Sequence, residues 1–163
     1  RRQYGLPWIS AMPTNLYGPH DNFSPTGSHV LPALIRRYDD AVASGAPIVT
    51  NWGSGSPRRE FLHSDDLADA CLYLLEHYDG PAQINVGSGA DTTIREIAET
   101  IASAVGYTGE TAWDTNKPDG TPQKLLDVSK LAQMGWTSTI DLQEGLARTV
   151  AWYRDNVGML RGA

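Results

Sequence analysis

Short apolar segments alternate along this chain with longer segments in which apolar residues recur at helical spacing. The segments 8–13 (WISAMP), 46–53 (APIVTNWG) and 82–89 (AQINVGSG) have the length and composition of buried strands. Segments with the period of an amphipathic helix stand between and after them. Because parallel strands need a crossover connection that is usually a helix, this alternation predicts an α/β fold with largely parallel strands.

Capping and stop signals bound the predicted helices. Apolar residues at helical spacing predict a first helix over residues 29–44, with Gly45 near its end. The second helix is expected to carry an apolar stripe made of these residues: Leu67, Cys71, Leu74, Leu75 and Tyr78. The side chains expected to start the later helices are Asp65 or Asp66 for the second, Thr93 with Glu96 for the third, and Asp141 with Glu144 for the last.

Composition limits the classes of partner. The length of 163 residues suits one domain with a sizeable core. With 13 Lys and Arg against 19 Asp and Glu, the net charge of −6 argues against a nucleic-acid-binding surface. No apolar run in the sequence approaches the roughly 20 residues of a membrane span. The single cysteine, Cys71, excludes an internal disulfide framework and is expected to be a small buried core residue, which fits a reducing cytoplasm.

The first residues, RRQYGLPWISAM, show neither an initiator methionine nor the pattern of a signal peptide. They read as the end of a helix that runs directly into a strand. We therefore expect that the chain begins within a larger protein.

The stretch from Pro13 to Arg37 places turn formers, two histidines and an arginine pair between two apolar segments. Such a stretch is either a plain connection or the wall of a ligand site. In open α/β sheets, ligands bind in the crevice beyond the carboxyl ends of the strands. The loops that follow segments 8–13 and 46–53 both leave such ends, so a ligand is expected there.

Two histidines in this stretch are candidates for proton transfer. His29 stands at the start of the first predicted helix, and an imidazole there could act as a general acid or base near neutral pH. The alternative is a histidine that is packed or hydrogen-bonded at a helix end. The same two interpretations apply to His20, which lies within turn-forming sequence.

Two arginine pairs, at 36–37 and 58–59, stand out in an acidic chain. A guanidinium binds phosphate oxygens in bidentate fashion, so one arginine of each pair could face a diphosphate. The alternative is pairing with neighbouring carboxylates. Trp52 could cover a base or a sugar or could belong to the core, and Asp119 is by default a turn residue.

Other motifs point away from a local phosphate loop or a metal. The segments GSGSP and GSGAD lack both the phosphate-loop pattern and the dinucleotide fingerprint, so they are interpreted as turns. No cluster of His, Cys and Asp has the spacing of metal ligands, and no metal is expected. The residues alone indicate an α/β ligand-binding unit, without naming a reaction.

The same residues carry a resemblance to a known family. Six segments resemble the GDP-L-fucose synthases, which are extended short-chain dehydrogenase/reductases: MPTNLYGPHDNF, SHVLPALIRR, WGSGSPRREFLHSDD, INVGSG, TIREIA and KPDGTPQKLLD. The match runs in order over nearly the whole chain. Asn-Leu-Tyr-Gly-Pro is generic to extended members, whereas PHDNF followed by SHV is specific to the fucose synthases.

The resemblance implies a fold and a domain organisation. Residues 1–163 would be the C-terminal, mainly substrate-binding portion of such an enzyme, with late parallel strands of a Rossmann-type NAD(P)-binding domain plus the smaller substrate-binding domain. The family's N-terminal half carries a Gly-rich loop, a Ser, a Cys and a Tyr-x-x-x-Lys pair. This sequence corresponds to the other half, so it contains no counterpart of any of these residues. We therefore expect the isolated chain to be inactive, and the full-length protein to be a homodimer through helices of that half.

The resemblance also implies NADP(H) as cofactor and a GDP-sugar as substrate, with GDP-4-keto-6-deoxy-D-mannose converted to GDP-L-fucose. His29 matches the family histidine that acts as the acid of the epimerisation close to the nicotinamide. The positions that match cofactor contacts are Pro13, Thr14, Asn15, Leu16 and His29. The positions that match substrate contacts are Arg37, Trp52, Arg59 and Asp119. Ser64, where valine is usual, and Gln123, where a basic residue is common, depart from the family pattern.

Two other functions remain open at the level of sequence. Another extended family member, such as a nucleotide-sugar 4-epimerase or 4,6-dehydratase, would not need an acid at position 29. A sugar-nucleotide-binding module without catalysis would share the binding residues alone.

Overall fold

The computed structural model describes residues 1–159. Its strands are β1 (Ala11–Pro13), β2 (Asn15–Tyr17), β3 (Ile48–Trp52), β4 (Arg58–His63), β5 (Ile84–Val86), β6 (Asp91–Thr93), β7 (Glu110–Asp114) and β8 (Gln123–Lys124). Its helices are α1 (Val30–Ser44), α2 (Ser64–His77), α3 (Ile94–Val105), α4 (Ser129–Gln133) and α5 (Leu142–Asn156), followed by a 3₁₀ turn at Val157–Met159. Strands and helices alternate, as the sequence pattern predicts.

Most strand pairs are parallel, which confirms the predicted α/β class. β1 pairs with β5, β3 pairs with β7, and β4 pairs with both β2 and β8, all in parallel. The antiparallel partner is β6, which lies along the first half of β4. β4 is therefore the central strand of a four-stranded sheet, and its neighbours come from distant parts of the chain.

The helix boundaries follow local signals in three cases. α1 begins after His29 and ends at Gly45, whose φ of 66° is the left-handed conformation that glycine adopts without strain. α3 starts with the predicted capping box of Thr93 and Glu96. α5 is capped by Asp141, whose carboxylate accepts a hydrogen bond from the backbone N–H of Glu144 at 2.8 Å.

The second helix departs from its prediction at its start. α2 begins at Ser64 and is capped by His63, whose Nδ1 accepts a hydrogen bond from the N–H of Asp65 at 3.2 Å. Asp66 is buried instead of capping. Its carboxylate accepts hydrogen bonds from the backbone N–H groups of Thr139 and Ile140, and so ties α2 to the segment before α5.

The predicted stripe of α2 is also partly wrong. The buried face consists of Asp66, Ala70 and Leu74, whereas Cys71 is exposed and Leu75 is 73% exposed. The expectation of a buried thiol is therefore contradicted. Apolar residues surround this helix on several sides, so periodicity alone does not select the face that packs.

Two apolar clusters form the core. The larger one joins α1, α3 and α5 with the central sheet, and its fully buried side chains include Ile35, Tyr38, Ile97, Ile101, Leu146 and Tyr153. The smaller one joins α2 and α4 with β5 through Leu62, Leu74, Ile84, Val86 and Leu131.

Within residues 1–159, no helix has the length and apolar character needed to cross a membrane.

Candidate functional site

A cavity of about 450 Å³ opens at the carboxyl ends of two parallel strands, β2 and β4. Four of the predicted site residues line it: Thr14, Asn15, Leu16 and His29. Its other walls come from residues 17–21, Val30, Leu31, Phe61 and Ser64. Pro13 precedes this wall and does not line the cavity. The stretch after β1 is therefore the wall of a cavity at a strand-end crevice, the place where ligands bind in α/β sheets.

His29 is placed by the start of α1. It is the N-cap residue, with φ −70° and ψ 166°, and its exposed side chain makes no capping hydrogen bond to the described helix. Serine, threonine, aspartate and asparagine are the residues that cap well, and histidine is not one of them. His29 thus lines the cavity, and its side chain makes no hydrogen bond that caps the described helix.

The loop that leads to His29 is anchored by aromatic contacts. The ring of His20 lies 4.6 Å from that of Trp152, and the ring of Phe23 lies 4.8 Å from that of Tyr153. His20 has a φ of 68°, a conformation uncommon outside glycine. Since Trp152 and Tyr153 belong to α5, the packing of this helix fixes one side of the cavity.

The strand wall of the cavity is held by the backbone of Glu60. Its carbonyl oxygen accepts a hydrogen bond from Nδ2 of Asn15 at 2.8 Å and one from the hydroxyl of Thr14 at 3.3 Å. Both bonds cross from the start of β2 to β4, so the orientation of the two side chains is fixed.

A second cavity, of about 350 Å³, adjoins the first. The two share the side chains of Tyr17 and Phe61 as a common wall. Arg59 lines the second cavity, together with Ser88, Ala90, Asp91, Thr92 and residues 138–142. Burial raises the pKa of Tyr17, as does the nearby charge of Asp66, so its hydroxyl stays protonated.

The structure distinguishes the two arginines at 58–59. Arg58 pairs with Asp91, with Nε 2.8 Å from Oδ1. Arg59 donates a hydrogen bond to the carbonyl of Arg58 at 2.7 Å and is one of the residues that line the second cavity. Hydrogen bonds from Gln123 and then from Arg58 hold the pKa of Asp91 below its usual range. Arg58 is thus held by a carboxylate, whereas Arg59 borders a cavity large enough for a ligand group.

The other predicted substrate contacts gather around the carboxyl end of β3. Arg37 donates a hydrogen bond of 2.7 Å to Oδ1 of Asn51, the residue before Trp52. Trp52 is 71% exposed, and Nζ of Lys117 lies 5.4 Å from the centre of its ring. Asp119 reaches the turn that follows Trp52 by accepting hydrogen bonds from Ser54. Arg37, Trp52 and Asp119 are therefore grouped on adjacent segments.

The loop of Asp119 also links this group to Arg59. A Cβ atom added to Gly120 would lie 3.1 Å from Nη2 of Arg59. Gly53 has a φ of 79°, and a Cβ there would lie 2.3 Å from Oδ1 of Asp119. Glycine at position 53 is therefore required by both backbone conformation and close approach.

Sequence reasoning missed the buried polar residues of this region. Glu60 has no exposed surface, although it stands between Arg59 and Phe61 in a strand. The sequence holds no clear signal of this burial, because Glu60 follows two arginines in the strand sequence RREFLH and resembles their ion-pair partner. Within residues 1–159, no group of three or more His, Cys, Asp or Glu side chains is arranged to hold a metal ion.

Comparison with known proteins adds independent information. The model of the NAD dependent epimerase/dehydratase family matches residues 1–87. The GDP-L-fucose synthase of Escherichia coli (strain K12) is 54% identical over 170 residues, which cover 99% of this chain and 53% of that protein. The probable GDP-L-fucose synthase 1 of Oryza sativa subsp. japonica is 58% identical over 157 residues, covering 96% of this chain and 48% of that protein.

A solved structure gives the same result. The crystal structure of a GDP-L-fucose synthetase from Naegleria fowleri bound to NADP is similar with a TM-score of 0.88 at 32% identity, over 94% of this chain and 48% of that one. The chain therefore spans about half the length of the relatives it matches. The resemblance to GDP-L-fucose synthases and the Rossmann-type fold expected from it are confirmed. Because the family model covers more than half of the 163 residues, the chain belongs to the NAD dependent epimerase/dehydratase family.

Proposed function

We propose that residues 1–163 are the C-terminal, mainly substrate-binding portion of an NADP-dependent GDP-L-fucose synthase. Such an enzyme converts GDP-4-keto-6-deoxy-D-mannose to GDP-L-fucose by epimerisation at C3 and C5 and reduction at C4. The observation that carries the proposal is the pair of adjoining cavities, with His29 in one and Arg59 in the other. This arrangement suits a substrate that has a reactive sugar at one end and a diphosphate beside it.

The first cavity fits the nicotinamide end of NADP(H). Its volume of about 450 Å³ is ample for such a ring, and its wall combines the apolar side chain of Leu16 with the fixed polar side chains of Thr14 and Asn15. In this proposal Thr14, Asn15, Leu16 and His29 border the cofactor, whereas Pro13, which was also expected to contact it, ends β1 just before the cavity lining begins. When bound, NADPH supplies a hydride to C4 of the sugar.

His29 would supply the proton that inverts a carbon centre. The C4 ketone of the substrate acidifies the hydrogens at C3 and C5, so a base can remove each proton and an acid can return it on the opposite face. A protonated imidazole can donate to the carbon and take up a new proton from solvent. The exposed position of His29 at the cavity supports both steps.

Arg59 would hold the diphosphate, because a guanidinium fork matches phosphate oxygens and its neighbour Arg58 is already paired with Asp91. The exposed ring of Trp52 is available to cover the base or its ribose, with Arg37 and Asp119 on adjacent segments. Binding energy from these contacts would orient the sugar beside His29 although the contacts lie away from the reacting carbons.

Calorimetric titration with GDP tests the proposal. The chain should bind GDP, and Arg59→Ala should weaken binding by roughly 1.5–3 kcal/mol, the value of a hydrogen bond to a charged group. The matched control is Arg154→Ala, since Arg154 pairs with Asp39 and lines neither cavity. GDP binding that is unaffected by Arg59→Ala would contradict the assignment, and equal affinity for UDP would favour a nucleotide-sugar 4-epimerase.

The remaining parts of the proposal concern the full-length protein. We place it in the cytoplasm as a homodimer, on the strength of its composition and of the family resemblance. For residues 1–163 alone we expect no turnover of GDP-4-keto-6-deoxy-D-mannose above that of a His29→Ala variant. Turnover above this control would show that the chain carries a complete catalytic set.

A further inference from the structure

Glu60 is a carboxylate without exposed surface at the centre of β4. Its Oε1 accepts a hydrogen bond from the backbone N–H of Gly89 at 2.7 Å, and its Oε2 accepts one from the N–H of Leu126 at 3.0 Å. Burying a carboxylate is costly unless its oxygens are hydrogen-bonded, so these two bonds are what allow a charge at this position. Each oxygen holds a different segment of the chain.

The two segments lie on either side of Arg59. Gly89 stands between Ser88 and Ala90, which line the second cavity together with Arg59. Leu126 follows β8, which runs parallel to the start of β4 with Lys124 in register with Arg59. The carboxylate of Glu60 therefore sets the position of the cavity wall and of the strand beside Arg59.

Two further contacts show that the position is specified by its surroundings. A Cβ atom added to Gly87 would lie 2.2 Å from Oε1 of Glu60, so a glycine is needed to leave room for the carboxylate. The carbonyl of Glu60 accepts the hydrogen bonds of Thr14 and Asn15 that hold the wall of the first cavity. One residue thus connects the walls of both cavities.

We propose that Glu60 is a positioning residue for the diphosphate site, acting through Arg59 by fixing the residue 87–90 loop and β8 around it. This inference rests on the function proposed above. It adds a residue that does not touch the ligand and whose two accepting oxygens are needed for the shape of the cleft. A glutamine is the informative substitution, because it keeps the size of the side chain but presents an N–H₂ group to one of the two backbone N–H donors.

The test is a double-mutant cycle in which GDP affinity is measured for wild type, Glu60→Gln, Arg59→Ala and the double variant. Glu60→Gln should weaken GDP binding about tenfold, and the double variant should bind no more weakly than Arg59→Ala alone, because residues that act as one unit are not additive. Additive losses, or an affinity for GDP unchanged by Glu60→Gln, would overturn the proposal. Absence of GDP binding by the wild type would instead overturn the proposed function, and this inference with it.

Two controls separate positioning from loss of stability. Leu74→Ala removes a buried side chain from the smaller core cluster and should lower thermal stability without changing GDP affinity. Gly87→Ala crowds the same carboxylate and should reproduce the loss of GDP affinity, so the proposal can be tested if Glu60→Gln does not fold. Normal GDP binding by a folded Gly87→Ala variant would count against it, as would weakened GDP binding by Leu74→Ala.

Discussion

The carboxylate of Asp119 accepts two hydrogen bonds from Ser54, one of 2.9 Å from the backbone N–H and one of 2.6 Å from the hydroxyl. These bonds close the loop after β7 onto the turn after β3, and they hold the pKa of Asp119 below its usual range. Trp52 lies two residues before Ser54. The exposed indole and the carboxylate that are both proposed to meet the substrate are therefore fixed to the same turn.

Substitution of Asp119 tests whether it acts through this turn. Asp119→Ala removes both hydrogen bonds and should weaken GDP binding roughly tenfold, whereas Asp119→Asn keeps an oxygen for the N–H of Ser54 and should remain within about twofold of wild type. Titration calorimetry on the three proteins measures this difference. If the Asp119→Asn variant binds GDP as weakly as the Asp119→Ala variant, the charge of Asp119 meets the ligand directly, and the turn is not its principal role.

The parts of the fold that were predictable are those with local causes. The end of α1 lies where a glycine places it, and the starts of α3 and α5 lie where capping residues place them, because those signals act within one turn of helix. β2, β6 and β8 were not predicted, since they lie in turn-rich sequence and owe their conformation to pairing with β4. Their partners are tens of residues away, which sequence periodicity cannot show.

The same distinction applies to the site. A ligand at the carboxyl ends of strands follows from the α/β pattern, and the cavity with His29 lies there. The family resemblance selected Arg59, but the residues alone did not distinguish it from Arg58, because that distinction depends on Asp91, 33 residues from Arg58. The burial of Glu60 depends likewise on N–H groups from two distant segments.

His29 offers a prediction on stability. It occupies the N-cap position of α1, but within residues 1–159 its side chain makes no capping hydrogen bond to this helix. His29→Ser should therefore raise the free energy of unfolding by about 0.5–1 kcal/mol, because serine can accept a hydrogen bond from a backbone N–H of the first turn. Urea denaturation measures this change. A gain in stability would mean that histidine at this position is not optimal for folding, as expected for a residue retained for chemistry.

Asp141→Ala is the comparison for this experiment. Asp141 caps α5 with a carboxylate that accepts the N–H of Glu144, so its loss should lower the free energy of unfolding by about 1 kcal/mol. If His29→Ser destabilises the protein to a similar extent, the side chain of His29 supports the fold, and its free position at the cavity must be reconsidered.

Glu96 should make stability depend on pH in the acid range. Hydrogen bonds from the backbone N–H and hydroxyl of Thr93, and then from the hydroxyl of Thr92, lower its pKa from 4.5 to about 2. Because the unfolded chain binds this proton more tightly, the contribution of Glu96 is complete above pH 4.5 and is lost as the pH falls towards 2.

The measurement for Glu96 is a pair of urea titrations at several pH values. Glu96→Gln should be less stable than wild type above pH 4.5, and the two proteins should converge as the pH approaches 2. Other carboxylates titrate in both proteins, so the difference between them isolates Glu96. A difference that stays constant over this range would show that the capping box does not depend on the charge of Glu96.

The exposed face of α2 predicts association of the chain with itself. Leu72 is 65% exposed and Leu75 is 73% exposed, and with Cys71 they form one apolar side of the helix. Leu75→Lys should therefore increase the monomer fraction in sedimentation velocity while changing the free energy of unfolding by no more than about 0.5 kcal/mol, as for other surface substitutions.

Leu74→Ala is the control, because Leu74 is one residue away but fully buried. This variant should lower the free energy of unfolding by about 2–5 kcal/mol and leave association through the exposed face intact. An unchanged monomer fraction for Leu75→Lys would exclude this face of α2 as the surface through which the chain associates.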